Sequence, residues 1–413
     1  MTKEAVAQVS WPIAGNSVGD ELSQRERPVG MKHNPHYFPA FDGIRAVAIL
    51  AVFVDHYFVD HYPVSTYGRL GVSVFFVLSG FLITGALLRS RGQAGNLKTF
   101  YMRRTLRIFP LYWGFWIVVV CLTGVLHIMW NRGNWLYVVY AGNYIWSFFG
   151  DRFGAPSALV HLGIWPNAAG IPHQYIYVGH FWTLAVEEQF YLFWPLLILR
   201  PKRIESVLRL CVGVIVAVMV AKVAVSFWAA GFPSQWIRVM PLRCDEFAFG
   251  GALAALLFVG RGTALVRKAN WIFYASTVAL VISCFVNSQL CSVLGAARWD
   301  FLANTLAVDL FAVGLILVGM DSRRGVTKVL SWKPLVMLGQ ISYGFYLFHD
   351  LGHMAIRDFI EAVLAGHSEA LRDACTAGLA FLIALVCAAM SFLYLETPFL
   401  KLKDKWKFGV SSG

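Results

Sequence analysis

Arg45 and His56 stand eleven positions apart in the first long apolar segment of the chain, where Arg45 opens the run AVAILAVFV. Eleven steps of about 100° carry an α-helix about 20° past three full turns, so both side chains share one face, about 16 Å apart along the axis. A fixed cation and a titratable imidazole on one stripe of a membrane helix are expensive to place. Such groups usually face a bundle interior or a water-filled cavity and mark a functional path. The plainer reading is that Arg45 anchors one end of the helix and His56 reaches the opposite interface.

Further polar groups fall inside apolar stretches. HFWTLAVEEQFYLFWPLL carries Glu187 and Glu188. Neighbouring helical residues point about 100° apart, so one of the two at most faces a given centre. A desolvated carboxylate there suits proton transfer; it also suits an ion pair that locks two helices. SYGFYLFHD sets His349 and Asp350 towards the outer end of another span. In RRTLRIFP, Arg104 and Arg107 are three apart and share a helix face. Such a pair either anchors the inner interface or clamps phosphate, since guanidinium forks match phosphate oxygens. MPLRCDEFAFGG offers Arg243 and Asp245, expected to pair with each other or with the glutamates. Gly71 and Ser79-Gly80 permit close helix approach, and packing accounts for them without a nucleophilic Ser79. His56 and Asp60 read HxxxD, with Asp60 one turn beyond His56. Glu396 is expected near the inner interface, with Pro398 ending the last helix.

The elements that position these groups follow from composition. The chain has 413 residues, 58% hydrophobic and 14% charged, with mean hydropathy +0.60. A soluble domain carries roughly 25% charged residues, so the class is a polytopic helical membrane protein, an all-α bundle. The 15 Trp and 16 Tyr suit interfacial belts. Seven Cys residues without a CxxC pair argue against a disulfide framework or a zinc site, and no metal is expected. Residues 1–37 read as a polar cytoplasmic tail without a signal-peptide core. Residues 38–400 read as the transmembrane domain and 401–413 as a basic cytoplasmic tail. About ten spans fit, near 41–60, 69–88, 108–128, 181–199, 207–229, 241–260, 271–290, 301–320, 335–356 and 374–395. The stretch 135–149 is short and reads as interfacial or re-entrant, and 129–180 as an outer cap. With both termini inside, 25 of the 35 Lys and Arg fall on the cytoplasmic side. The net charge of +12 then reflects basic loops against anionic lipid, with no need of nucleic acid.

Taken in order, the motifs resemble the acyltransferase-3 family of integral-membrane O-acyltransferases. They are FDGIRAVAILAVFVDHY, VFFVLSGFLIT, the Arg-x-x-Arg of Arg104 and Arg107 before IFPLYW, FWTLAVEEQFYLFWP, RCDEFAFGGALAA, ISYGFYLFH and LETP. The likeness runs from about residue 38 to 400. One departure is local: after His349 the family often has Pro, and here Asp350 follows. The resemblance implies transfer of an acyl group, commonly acetyl, from acyl-CoA to a hydroxyl of a sugar, polysaccharide or lipid-linked glycan at the cell (inner) membrane. It maps the family's active-site histidine to His56 and its paired arginine to Arg45, with Glu187, Glu188, Arg104 and Arg107 as further motif positions. The site expected on these grounds has His56, Glu187, Glu188 and His349 in the chemistry, with His56 as catalytic base or as acyl carrier. Arg45, Arg104 and Arg107 hold acyl-CoA, and Trp182, Tyr191, Arg243 and Asp245 hold the acceptor. In this reading a glutamate orients the His56 imidazole, as a carboxylate does for a catalytic histidine. Two other classes fit the same residues: a proton-coupled transporter, although no internal repeat is visible, and a scaffold subunit of an envelope assembly.

Overall fold

The computed structural model describes residues 37–58, 66–124, 130, 132–144, 159–161, 175–228, 238–294, 302, 304–321, 325–351 and 353–405. Its long helices are α1 (Pro39–Phe58), α2 (Thr66–Arg89), α3 (Asn96–Cys121), α4 (Trp182–Leu199), α5 (Ile204–Trp228), α6 (Cys244–Phe258), α7 (Ala269–Leu294) and α8 (Thr305–Gly319). The last part of the chain adds α9 (Lys333–Gln340), α10 (Ser342–Phe348), α11 (His353–Val363), α12 (Glu369–Ser391) and α13 (Thr397–Lys405). Among the described residues five stretches are long and apolar enough to cross a membrane: Leu70–Arg89, Asn96–Cys121, Ile204–Phe227, Ala269–Val286 and Glu369–Leu402. Four other expected spans are α1, α4, α6 and α8, helices of 15 to 20 residues. Three charged residues, Asp42, Arg45 and Asp55, interrupt the apolar run of α1. Large apolar side chains such as Ile117, Val220, Phe285 and Val386 lie exposed on α3, α5, α7 and α12, an arrangement suited to lipid rather than water.

The described fold is helical, with one short antiparallel pair, Leu159–His161 on Tyr175–Tyr177. Two expectations need correction. The span expected as continuous over 335–356 is three helices, α9 to α11, and His349 and Asp350 lie in the turn that ends α10. Pro398 does not end the last helix. The chain runs unbroken through a π-helical turn at Phe392–Glu396 into α13, and Pro398 sits just past that turn without ending the helix. Residues 1–36, with most of the expected N-terminal tail, and Asp60 lie outside the described residues.

α1 forms because Pro39 suits the first turn, Asp42 sits at the positive N-terminal end, and apolar residues recur at helical spacing. Phe41, Ile44, Ala48, Ile49, Val52, Phe53 and Tyr57 are buried along it. The helix serves two cores. Phe41 and Ile44 pack with Val77, Phe81, Leu253 and Ile316, whereas Phe53 and Tyr57 join Tyr112, Phe181, Phe190, Trp194 and Phe345. α2 crosses α6 at backbone contact: a Cβ on Gly80 would overlap the Phe247 carbonyl, and one on Gly250 the Val77 carbonyl. A backbone atom cannot rotate aside. Gly80→Ala is therefore expected to cost about 1–3 kcal/mol or more, read as a fall in the thermal midpoint of the purified protein in detergent. An unchanged midpoint would show that the two helices can separate without loss.

Candidate active site

The C-terminal end of α1 meets the end of α10 through two imidazoles. His56 Nδ1 lies 2.7 Å from His349 Nε2. The ring planes differ by 7° with centroids 4.9 Å apart, so the bond runs nearly in both ring planes. His349 Nδ1 lies 2.7 Å from the Tyr346 carbonyl, which only accepts, so Nδ1 of His349 carries a proton. In a neutral His349 the Nε2 is then the acceptor, and His56 Nδ1–H donates to it. The proton inventory leaves His56 Nε2 with a free lone pair. This assignment follows from the hydrogen-bond network. The His56 side chain is 29% exposed, whereas His349 is 1% exposed. One imidazole is thus presented and the other holds it.

Several contacts fix this pair. The Tyr57 hydroxyl donates to the His349 carbonyl at 2.7 Å, which ties α1 to the end of α10. His180, in a 3₁₀ turn before α4, places Nε2 3.3 Å from the Leu347 carbonyl, and its ring centroid is 4.9 Å from that of His349. Thr183 donates to the Tyr346 hydroxyl at 2.6 Å, and that hydroxyl donates to the His180 carbonyl at 2.9 Å. Asp350 is 4% exposed, with Oδ2 3.7 Å from His56 Nδ1 and 3.8 Å from His180 Nδ1. Its Oδ1 is 3.4 Å from His353 Nδ1. Among the described residues, no three His, Cys, Asp or Glu side chains are arranged to hold a metal ion.

The N-terminal end of α1 carries the cations. Arg45 pairs with Asp42 at 2.5 Å, and the Tyr37 hydroxyl donates to the same carboxylate at 2.8 Å. Arg107 lies within electrostatic reach of Arg45, Arg104 and, from the π turn, Glu396. Arg104 stacks 5.1 Å above the Tyr191 ring. Among the described residues no carboxylate stands within ion-pair distance of Arg104 or Arg107, although Glu187 and Glu396 lie within electrostatic reach of them. Ser79 donates to Glu187 at 2.9 Å, and Tyr191 reaches Ser79 at 3.5 Å. Glu187 feels both Arg45 and Arg104.

The geometry brings together most of the expected residues, with two corrections. The hydrogen-bond partner of His56 is His349, not a glutamate; Glu187 is held by Ser79, towards the arginines. Arg243 and Asp245 pair neither with each other nor with Glu187 or Glu188. Arg243 pairs with Glu246, one turn along, and Asp245 with the buried Lys222 of α5. Arg243 also lies 5.5 Å over the Trp182 ring, with Arg238 5.9 Å away on that ring. Sequence reasoning missed His180, His353 and the contacts of Asp350. The dipeptide His349-Asp350 was the one signal available, and nothing local showed what it faces.

The fold and site define a polytopic helical membrane protein with a cation cluster at one end of a helix and a presented imidazole near the other. Residues 38–395 match the model of the acyltransferase domain, and the chain belongs to this family, the acyltransferase-3 family of membrane acyltransferases. It is similar to the peptidoglycan O-acetyltransferase OatA of Listeria monocytogenes, 28% identical over 396 residues, covering 90% of this chain and 57% of that one. The putative peptidoglycan O-acetyltransferase YrhL of Bacillus subtilis is 28% identical over 348 residues, covering 76% of this chain and 48% of that one. The O-acetyltransferase OatA of Staphylococcus aureus is 27% identical over 331 residues, covering 77% and 51%. The chain spans about half the length of these curated relatives. No solved structure matches it.

Proposed function

We propose that the protein transfers an acetyl group from acetyl-CoA to a sugar hydroxyl of a glycan or glycoconjugate at the cell membrane. The observation that carries this reading is the His56–His349 bond, which leaves a lone pair on the more accessible imidazole. The names of the relatives support acetyl as the acyl group and a peptidoglycan-type glycan as the acceptor class. We further propose ten membrane crossings with both termini in the cytoplasm, supported by the bias of basic residues.

The donor phosphates bind Arg104 and Arg107, with Arg45 beside them, because paired guanidinium groups fit phosphate oxygens and, among the described residues, neither Arg104 nor Arg107 has an ion-pair partner. The pantetheine arm runs along α1 from Arg45 to His56, about 16 Å by helix rise. His56 Nε2 takes the proton of the acceptor hydroxyl as its oxygen bonds to the thioester carbonyl carbon. The C–S bond then breaks, and the CoA sulfur takes that proton from Nε2. His349 holds the His56 ring and tautomer through this cycle, much as a third group orients the base in hydrolase triads. Trp182, under Arg243, offers a flat face to a sugar ring, and Glu187 and Tyr191 line the path between the two ends.

The test is release of free CoA from acetyl-CoA by the purified protein in nanodiscs, with short peptidoglycan glycan fragments as acceptor and mass detection of the acetylated product. Acceptor-dependent CoA release with matching O-acetylation supports the proposal. Wild-type protein that releases no CoA and forms no ester would overturn it and favour a transport role.

A further inference from the structure

Asp350 is a buried carboxylate whose ion-pair neighbours, among the described residues, are all histidines. No lysine or arginine offsets it there. A buried anion without a fixed cation is costly, so its balancing charge has to come from the imidazoles around it. Three elements bring those rings in. His56 arrives at the end of α1, His180 in the turn before α4, and His353 at the start of α11. His353 packs 4.4 Å from the Tyr57 ring, and Tyr57 in turn holds the His349 carbonyl. His349 is the residue immediately before Asp350, so the carboxylate and the acceptor of the His56 bond come from one rigid turn.

We propose that Asp350 is the positioning residue of the transfer, acting through His56. It rests on the reading of His56 as the base. When Nε2 of His56 takes the hydroxyl proton, the ring becomes an imidazolium with N–H on both nitrogens. Nδ1–H still points at His349, a neutral acceptor, which supplies a hydrogen bond but no countercharge. Asp350 Oδ2, 3.7 Å from that Nδ1, supplies the charge. The carboxylate is too far to bond the ring directly and does not take its proton. It favours the charged ring that exists only as transfer proceeds, so it lowers the barrier without tightening donor binding. The division of labour differs from a hydrolase triad, in which one carboxylate both orients the ring and balances its charge. Here His349 orients and Asp350 balances.

The distinguishing experiment compares wild type, His56→Ala, Asp350→Asn and Asp350→Glu in nanodiscs by acetyl-CoA-dependent CoA release with glycan fragments present. Asp350→Asn keeps the shape and removes the charge; kcat should fall about 30- to 100-fold while KM for acetyl-CoA stays within about twofold. Asp350→Glu restores the charge and should regain about tenfold or more. If the asparagine protein is not monodisperse, Asp350→Glu and Asp350→Gln repeat the comparison, since both add one methylene and differ only in charge. Equal activity of the charged and neutral variants, with His56→Ala inactive, would overturn the role of Asp350 and leave His56 standing. Turnover that survives in His56→Ala would overturn the reading on which it rests.

Discussion

His56→Ala is expected to lower kcat for acetyl transfer by about 10³- to 10⁴-fold, with KM for acetyl-CoA changed by less than about threefold. A positioned general base contributes about 10² to 10⁴, and the two other histidines packed around this ring are not placed to replace it. The His349 side chain is buried and its Nδ1 is committed to the Tyr346 carbonyl; His180 is buried and turned towards Leu347. The imidazole acts only as the hydroxyl proton moves, so its removal takes away an interaction of the transition state and leaves donor binding alone. The loss corresponds to about 4–5 kcal/mol of barrier. CoA-release kinetics across a range of acetyl-CoA concentrations separate the two parameters, and circular dichroism shows whether the helices persist. A variant with its helices intact and more than a tenth of wild-type kcat would remove His56 from the chemistry. His349→Gln is a useful companion, because its amide can still accept from His56 Nδ1–H.

The second large effect belongs to the N-terminal end of the same helix. Arg104→Ala with Arg107→Ala is expected to raise KM for acetyl-CoA by about 10²- to 10⁴-fold. A hydrogen bond to a charged group is worth about 1.5–3 kcal/mol, and two are removed. kcat at saturating donor should change far less than KM, the reverse of the His56 pattern. KM for acetyl-CoA should rise with salt in the wild type and rise less in the double variant, since salt screens the contacts that the arginines make. Direct binding of CoA by calorimetry gives the same comparison without turnover. Unchanged CoA affinity in a well-folded double variant would mean that the pair only anchors the inner interface. Arg45 is a poorer first choice, because its loss also frees Asp42, to which it bonds at 2.5 Å.

Each of these effects rests on a part of the site that was unequally visible in the chain. The helix through Arg45 and His56 was legible because an α-helix has a fixed period, and eleven residues return a side chain to one face. Arg104 and Arg107, three apart, were legible for the same reason. Membrane class followed from the low charge content, and the family from the order of seven short motifs that a local reading could recognise one by one. Glu187 and Glu188 were visible as costly groups, but not their direction. That depended on Ser79, 108 positions away, which fixes Glu187 on the arginine side rather than beside the imidazole. Pro398 was read by its usual effect on a helix interior; the chain instead takes a π turn just ahead of it and runs on as helix.

By itself the sequence determined the composition of a lipid-embedded bundle, the spacing that puts a cation and an imidazole on one helix face, and the second cation pair. Only the tertiary structure decided which group holds the imidazole. His56 and His349 are 293 positions apart and bond at 2.7 Å. No periodicity can report such a pairing, because helical spacing constrains residues within a few turns and says nothing of which helix ends pack together. The same holds for Asp350: a carboxylate after a histidine is unremarkable in a chain. Its setting appears only once α10 ends in a turn, α1 and α11 close over it, and burial leaves three imidazoles as its neighbours. Periodicity is local, whereas countercharge is set by whichever groups packing excludes from solvent together.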